Sequence, residues 1–78
     1  MTDKASPPVA GQVVRVTQPG GQYELYDVAM ADPQQAEAKI SAAIKATNEK
    51  IEAIEGLPQT VLDALGLAPG AYRKRPSI

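Results

Sequence analysis

The chain has 78 residues with no cysteine and no histidine, which excludes disulfides, thiolate chemistry and the usual zinc sites. Its formal net charge of −1 and apolar content of 44% are ordinary for a globular protein and argue against nucleic-acid or anionic-membrane binding. Because a 60-residue domain buries only about 60% of its unfolded surface, we expect marginal stability. We expect a homodimer to supply the additional stabilisation.

No segment has the pattern of a membrane span or a secretion signal. The sequence lacks a run of about 18 apolar residues, and its polar start, MTDKASPPVAG, has no apolar signal-peptide region. We therefore predict a cytoplasmic protein without membrane contact. Thirteen alanines, three tyrosines and the absence of phenylalanine and tryptophan predict a thin core of Val, Ile, Leu and Tyr.

The two ends of the chain look different from its middle. Residues 1–11 show no periodic apolar pattern and predict a disordered arm, in which Pro7 and Pro8 are also compatible with a docking peptide. After Gly70 the sequence turns polar and basic, so we predict a flexible tail over residues 71–78. A single small domain is then expected over residues 12–70.

The segment QVVRVTQPGGQYELYDVAM predicts a β-hairpin, because two β-rich runs flank a Pro-Gly-Gly turn sequence. A three-residue loop places Tyr26 and Val28 on the same face as Val14 and Val16, whereas a four-residue loop exchanges the faces of the second strand. With the three-residue loop, the other face carries Arg15, Thr17, Tyr23 and Asp27. We favour this version because it keeps Asp27 out of the core.

A helix is predicted after this hairpin, in ADPQQAEAKISAAIKA. Asp32 is a good N-cap, Pro33 suits the first helical position, and Gln35 can complete a capping box. Spacings of four and three residues define one apolar stripe. Its members are Ala36, Ile40, Ala43, Ile44 and Thr47.

Two structures compete for the residues after this helix. Isoleucines at 40, 44, 51 and 54, with Thr47 between them, continue the helical spacing as far as Glu55. The alternative ends the helix near Asn48 and makes residues 49–56 a third strand. We favour the strand because an isolated hairpin is marginal in water and a third strand completes a sheet. The long-helix version would require a dimer to bury its isoleucines.

The last predicted element is a short helix within residues 56–70. Val61, Leu62 and Leu65 form its apolar cluster, and Gly66 and Pro69 mark its end. The complete prediction is an α+β fold, a small two-layer ββαβα domain. It consists of a β-hairpin, an Ala-rich helix, a short third strand and a short C-terminal helix.

Residues 56–75 also resemble, locally, the AbrB-like swapped-hairpin DNA-binding family, which has a P-x-x-V-R-x-x-L-G-L-x-x-G-D segment. The matching positions are Pro58, Val61, Leu65, Gly66, Leu67 and Gly70. The sequence departs from the family at Leu62, where the family has arginine, and at Ala71, where it has aspartate. The resemblance implies an alternative function, a DNA-binding regulator or antitoxin-like protein that uses residues 56–75.

Catalytic and metal-binding patterns are not found in the sequence. It has no histidine for general acid–base work, no serine in a G-x-S-x-G elbow, and no calcium or phosphate loop. Glu52, Glu55 and Asp63 are the nearest carboxylates in sequence, and a solvated surface accounts for them. We therefore predict no enzymatic activity, no cofactor and no metal.

The candidate partner-binding residues are aromatic and basic, and they come from the hairpin and the C-terminal tail. They are Arg15, Tyr23, Tyr26, Arg73, Lys74 and Arg75. The tyrosines flank Glu24 and precede Asp27, which disfavours base stacking, and three adjacent cations fall short of a typical nucleic-acid patch. We therefore expect a small regulatory or accessory protein that acts by protein–protein contact, with an exposed sheet edge as one route to a partner.

Overall fold

The architecture is α+β, with a four-stranded antiparallel sheet and two helices. A computed structural model of the chain describes residues 9–76. The elements in chain order are β1 (Val9–Thr17), β2 (Tyr23–Val28), α1 (Pro33–Ile44), β3 (Lys50–Pro58), α2 (Gln59–Leu65) and β4 (Tyr72–Lys74). The strand order across the sheet is β3-β1-β2-β4, so the predicted ββαβα order is present with one additional strand at its end.

The hairpin of β1 and β2 has the register of a three-residue loop, as predicted. Gln18 donates its N–H to the carbonyl of Gln22 at 2.7 Å, which closes a loop of residues 19–21. Gly21 has a φ of 96°, a conformation that glycine adopts without a Cβ penalty. Val14 is paired with Tyr26, and the valine-rich β1 suits a central strand that is buried on both faces.

Helix α1 begins and packs as its sequence predicts. The Asp32 carboxylate accepts the N–H groups of Gln34 and Gln35, which satisfies donors that no helical carbonyl can reach. Ala36 and Ile40 are completely buried against the face of the sheet that carries Val14, Val16, Tyr26 and Val28. The helix ends at Ile44, and Lys45 closes it in the left-handed conformation, so Thr47 lies beyond the helix.

The predicted third strand is confirmed, and β3 extends it to Pro58. Ile51 and Ala53 pack against the α1 core, but the register between β1 and β3 shifts after Ala53. This bulge leaves Ile54 at 45% exposure. The helical spacing of the isoleucines was therefore misleading, because pairing with β1 buries Ile51 and the bulge displaces Ile54 outward.

Helix α2 packs on the opposite face of the sheet, at one end only. Leu62 joins Val13, Ala29 and Leu57 in a second buried cluster. A Cβ on Gly11 would lie 2.5 Å from the Val28 carbonyl oxygen and about 3.1 Å from Leu62, so glycine permits this close approach. The domain is thus covered by α1 on one face and partly by α2 on the other.

Both predicted chain ends need correction. Strand β1 begins at Val9, inside the predicted arm of residues 1–11; Pro7 and Pro8 lie outside the described residues. Instead of a flexible tail, Tyr72–Lys74 form β4 against β2. The physical reason is backbone pairing, of residues 9–11 with β3 and of residues 72–74 with β2, which a scan for apolar periodicity does not detect. Neither helix in the described part is long and apolar enough to cross a membrane.

Candidate interaction surface on the open face of the sheet

The face of the sheet opposite α1 is polar where α2 does not cover it. We call this surface the open face. Its side chains alternate with the core positions along β1 and β2 and follow the pairing with β4. They are Arg15, Thr17, Tyr23, Leu25, Asp27, Arg73 and Arg75. Four of the six predicted partner-binding residues are therefore brought together, from two segments that lie almost 50 residues apart.

Asp27 is the anchor of this surface. It is 2% exposed, and its Oδ1 lies 2.9 Å from Nε and 2.8 Å from Nη2 of Arg75. Arg73 places its Nε 4.0 Å from Oδ2. The hydrogen bond to Asp27 raises the pKa of the Arg75 guanidinium further above its ordinary value, so the cation is permanent. As predicted, Asp27 lies outside the α1 core. It is nevertheless buried on the other face of the sheet, where Arg73 and Arg75 cover it.

Arg15 forms a second charged group on the open face. Its Nη2 donates to Oε1 of the cross-strand neighbour Glu52 at 3.0 Å, and Lys50 lies 3.7 Å from the other oxygen. The Arg15 hydrogen bond lowers the pKa of Glu52. The guanidinium carbon also lies 6.0 Å from the ring centre of Tyr23, within reach of a cation–π contact. Tyr23 itself is 60% exposed.

The other two predicted site residues point to the α1 side of the sheet. Tyr26 is buried in the α1 core, where burial raises the pKa of its hydroxyl. Lys74 pairs with Glu24 at 2.7 Å, and that hydrogen bond raises the pKa of its ammonium group. Side chains alternate between the two faces of a strand, so Tyr26 and Lys74 lie on the other face of the sheet from Asp27 and Arg73. They are therefore not part of the open face.

Two of the three carboxylates considered for acid–base chemistry make surface contacts. Glu52 is bound to Arg15, and Asp63 accepts a hydrogen bond from the Gln59 amide at 2.8 Å. Glu55 is exposed on β3. Among residues 9–76, no group of three or more acidic side chains is arranged to hold a metal ion.

The two edges of the sheet differ in how they are protected. On β3 the Ala53 N–H donates a hydrogen bond to the Glu37 carboxylate of α1 at 2.8 Å, and the bulge at Ile54 makes the edge irregular. On β4 the Arg75 N–H points inward to the Leu25 carbonyl, so by alternation the backbone groups of Tyr72 and Lys74 point outward. Within the described chain no strand pairs with that outer edge.

Asp27, Glu52 and Leu25 belong to this surface but are not among the six residues that the sequence predicted to bind a partner. The three-residue loop already placed Asp27 on the same face as Arg15 and Tyr23, so half of the arrangement was within reach. Its pairing with Arg75 was not, because that contact spans 48 residues and depends on β4. Leu25 lies between Arg15 and Arg75 in the pairing and supplies the apolar centre of the surface.

Comparison of the sequence with protein-family models and with curated proteins, and of the structure with solved structures, finds no significant match.

Proposed function

We propose that this chain is a small non-enzymatic protein that acts by protein–protein contact, as a regulatory or accessory protein, and that the open face is its contact surface. The observation that carries the proposal is Tyr23, 60% exposed beside Arg15 on a sheet face that α2 leaves uncovered. Tyrosine and arginine dominate the energetics of protein interfaces. An exposed tyrosine with a neighbouring arginine is therefore a natural anchor for a partner.

The charges of the open face favour a protein partner over a nucleic acid. Arg73, Lys74 and Arg75 each have a carboxylate close by, on Asp27 or Glu24. A phosphate backbone would compete with these carboxylates for the same cations, and the chain has a net charge of −1. The DNA-binding alternative with residues 56–75 gains no support from this arrangement, whereas interspersed charges of both signs suit a protein surface.

A partner has two candidate binding sites, the open face and an outer edge of the sheet, and the open face is the better supported of the two. Glu37 and the bulge protect β3, and the outer edge of β4 is three residues long and followed by Pro76, which has no N–H to donate. A homodimer remains part of the proposal, since a second copy could cover Tyr23. Light scattering on the purified protein measures this directly.

The test is site-specific photo-crosslinking in the host cell. A photoreactive phenylalanine derivative replaces Tyr23 in one variant and Gln34, an exposed residue of α1, in the control variant. We expect one protein to be captured at position 23 and not at position 34. Titration of the purified partner should then show binding that Tyr23→Ala weakens by about tenfold or more, as for an interface anchor.

Three results would count against the proposal. They are no capture at position 23, equal capture at both positions, and an affinity unchanged by Tyr23→Ala. The nucleic-acid alternative predicts retention on DNA at low salt that disappears when Arg73, Lys74 and Arg75 are neutralised. Such retention would favour the DNA-binding alternative over our proposal.

A further inference from the structure

Strand β4 is attached to the sheet mainly by polar interactions. Its backbone pairs with β2, and the Arg75 N–H bonds to the Leu25 carbonyl at 2.8 Å. The side chains of Arg73, Lys74 and Arg75 remain 37–50% exposed. Tyr72 is 39% exposed, its ring makes a tilted contact with the ring of Tyr26, and the Lys39 ammonium lies 5.9 Å from its ring centre. A strand with so little apolar burial opens more readily than the core strands.

The part of β2 that β4 covers is built to receive a basic strand. When residues 72–75 detach, Asp27 keeps Val13 and Leu25 as neighbours and loses both guanidinium groups. The Leu25 carbonyl loses its hydrogen bond from Arg75. The Asp27 carboxylate and the β2 backbone groups then lack hydrogen-bond partners. Binding of an extended segment that supplies new partners is favoured.

We infer that residues 72–75 are a displaceable resident strand and that the β2 edge is the docking site for an extended Arg-x-Arg segment of another protein. This inference rests on the proposed function and names the chemistry of the partner. In a strand, residues two apart share a face, so both arginines of the incoming segment reach Asp27 as Arg73 and Arg75 do. A lysine between them faces Glu24, as Lys74 does at 2.7 Å.

A separate segment suits this site better than strand exchange between two copies of the chain. The loop that leads into β4 is itself bonded to the end of β2. Gly70 donates to the Ala29 carbonyl at 2.9 Å, and Ala29 donates to the Ala71 carbonyl at 2.8 Å. Exchange would have to break these bonds as well, whereas displacement of residues 72–75 leaves them in place.

The resident strand competes with any incoming segment. Because it is tethered, its effective concentration at the site reaches the millimolar range or higher, and an added peptide binds the native chain weakly. Removal of Arg73 and Arg75 weakens the competitor and leaves Asp27 in place. The inference therefore predicts that this double variant binds an Arg-x-Arg peptide more tightly than the native chain does.

The experiment uses a fluorescent peptide that copies residues 71–76 and the full-length protein, with binding measured by fluorescence anisotropy. We expect Arg73→Ala/Arg75→Ala to bind it at least about tenfold more tightly than the native chain. Lys45→Gln/Lys50→Gln, which makes the same change in net charge at two exposed residues that are not part of the open face, should not. Adding Asp27→Asn to the first variant should abolish the gain, and a peptide with glutamates in place of both arginines should not bind.

Several outcomes would overturn the inference. Equal gains in the two double variants would show simple charge attraction, and no gain would show that the site does not accept a second strand. A dimer of the native chain that dissociates on addition of the peptide would identify a second copy as the occupant. Capture of a partner at position 23 together with failure of the peptide would reject this inference alone and leave the proposed function standing.

Circular dichroism shows whether the double variant folds. If it does not fold, a measurement on the native chain still tests the inference. Amide hydrogen exchange should be faster at Arg75 than at Val16 of the central strand. In about 1 M salt, which screens the more exposed pair of Lys74 with Glu24, the exchange of Arg75 should accelerate and that of Val16 should not. Insensitivity of Arg75 to salt would contradict a strand held by ion pairs.

Discussion

Both Nε and Nη2 of Arg75 lie within 2.9 Å of one carboxylate oxygen of Asp27, 48 residues away in the chain. Arg75 follows β4, and Asp27 is the penultimate residue of β2, where it is almost fully buried. The contact joins the C-terminal segment to the hairpin and places Arg73 and Arg75 on the sheet face that carries Arg15 and Tyr23. The candidate interaction surface depends on it.

Asp27→Ala should destabilise the fold by about 1–3 kcal/mol, the usual contribution of hydrogen bonds to charged groups. The arginines are half-exposed and regain water, which keeps the loss moderate. Urea unfolding followed by circular dichroism measures it. Glu24→Ala is the control, because it breaks a solvent-exposed pair with Lys74 and should cost less. Equal losses in the two variants would show that the burial of Asp27 has no energetic consequence.

Gly11→Ala should destabilise the protein by roughly 1–3 kcal/mol, as overpacking of a tight core site does. The added Cβ would meet the Val28 carbonyl oxygen at 2.5 Å and the methyl groups of Leu62 just beyond 3 Å. Gly20→Ala is the matched control, since a Cβ there has no neighbour within 4 Å, and its effect should stay within about 0.5 kcal/mol. Thermal unfolding of both variants gives the comparison, and a neutral Gly11→Ala would contradict the packing of α2 on β1.

The pairing of Arg15 with Glu52 should make stability depend on pH. The hydrogen bond holds the pKa of Glu52 below its ordinary value, near which, at about 4.3, the carboxyl titrates in the unfolded chain. The pair therefore stabilises the fold above that pH, and its contribution disappears as the pH falls through the lower folded-state pKa. Acid titration of the unfolding free energy measures this.

Two variants identify the source of that pKa shift. Carboxyl-carbon NMR should show the Glu52 pKa rising in Arg15→Gln, because the hydrogen bond is its largest cause. Lys50→Gln should raise it less, since Lys50 acts mainly through its charge at a longer distance. An unchanged Glu52 pKa in Arg15→Gln would exclude the hydrogen bond as the cause.

Glu37→Ala should expose the β3 edge. The Glu37 carboxylate accepts the Ala53 N–H at 2.8 Å. Because a hydrogen bond contributes about 0.5–1.5 kcal/mol net, Ala53 should exchange its amide hydrogen roughly twofold to thirteenfold faster. Gln35→Ala changes an exposed residue of the same helix and should leave Ala53 unaffected. NMR hydrogen exchange resolves both, and unaltered protection in Glu37→Ala would show that this edge is protected by other means.

The features that the sequence determined by itself are local. Pro19, Gly20 and Gly21 mark the turn of the hairpin, Asp32 and Pro33 begin α1, and Gly66 ends α2 in the left-handed conformation. Each of these signals acts over a few residues, through allowed backbone angles and caps. These signals leave the length of the hairpin loop open. The three-residue loop, which places Arg15 and Tyr23 on one face, is favoured because it keeps Asp27 out of the α1 core.

The tertiary structure decided what lies far apart in the chain. Ile51 and Ile54 fit a helix by spacing, yet pairing with β1 makes β3 a strand, because ladder hydrogen bonds and the α1 core outweigh local periodicity. The charged residues after Gly70 have no apolar pattern, and they become a strand only because β2 offers its edge and Asp27. Contacts of this kind depend on which segments meet in space, so the surface around Asp27 and Arg75 exists only in the folded chain.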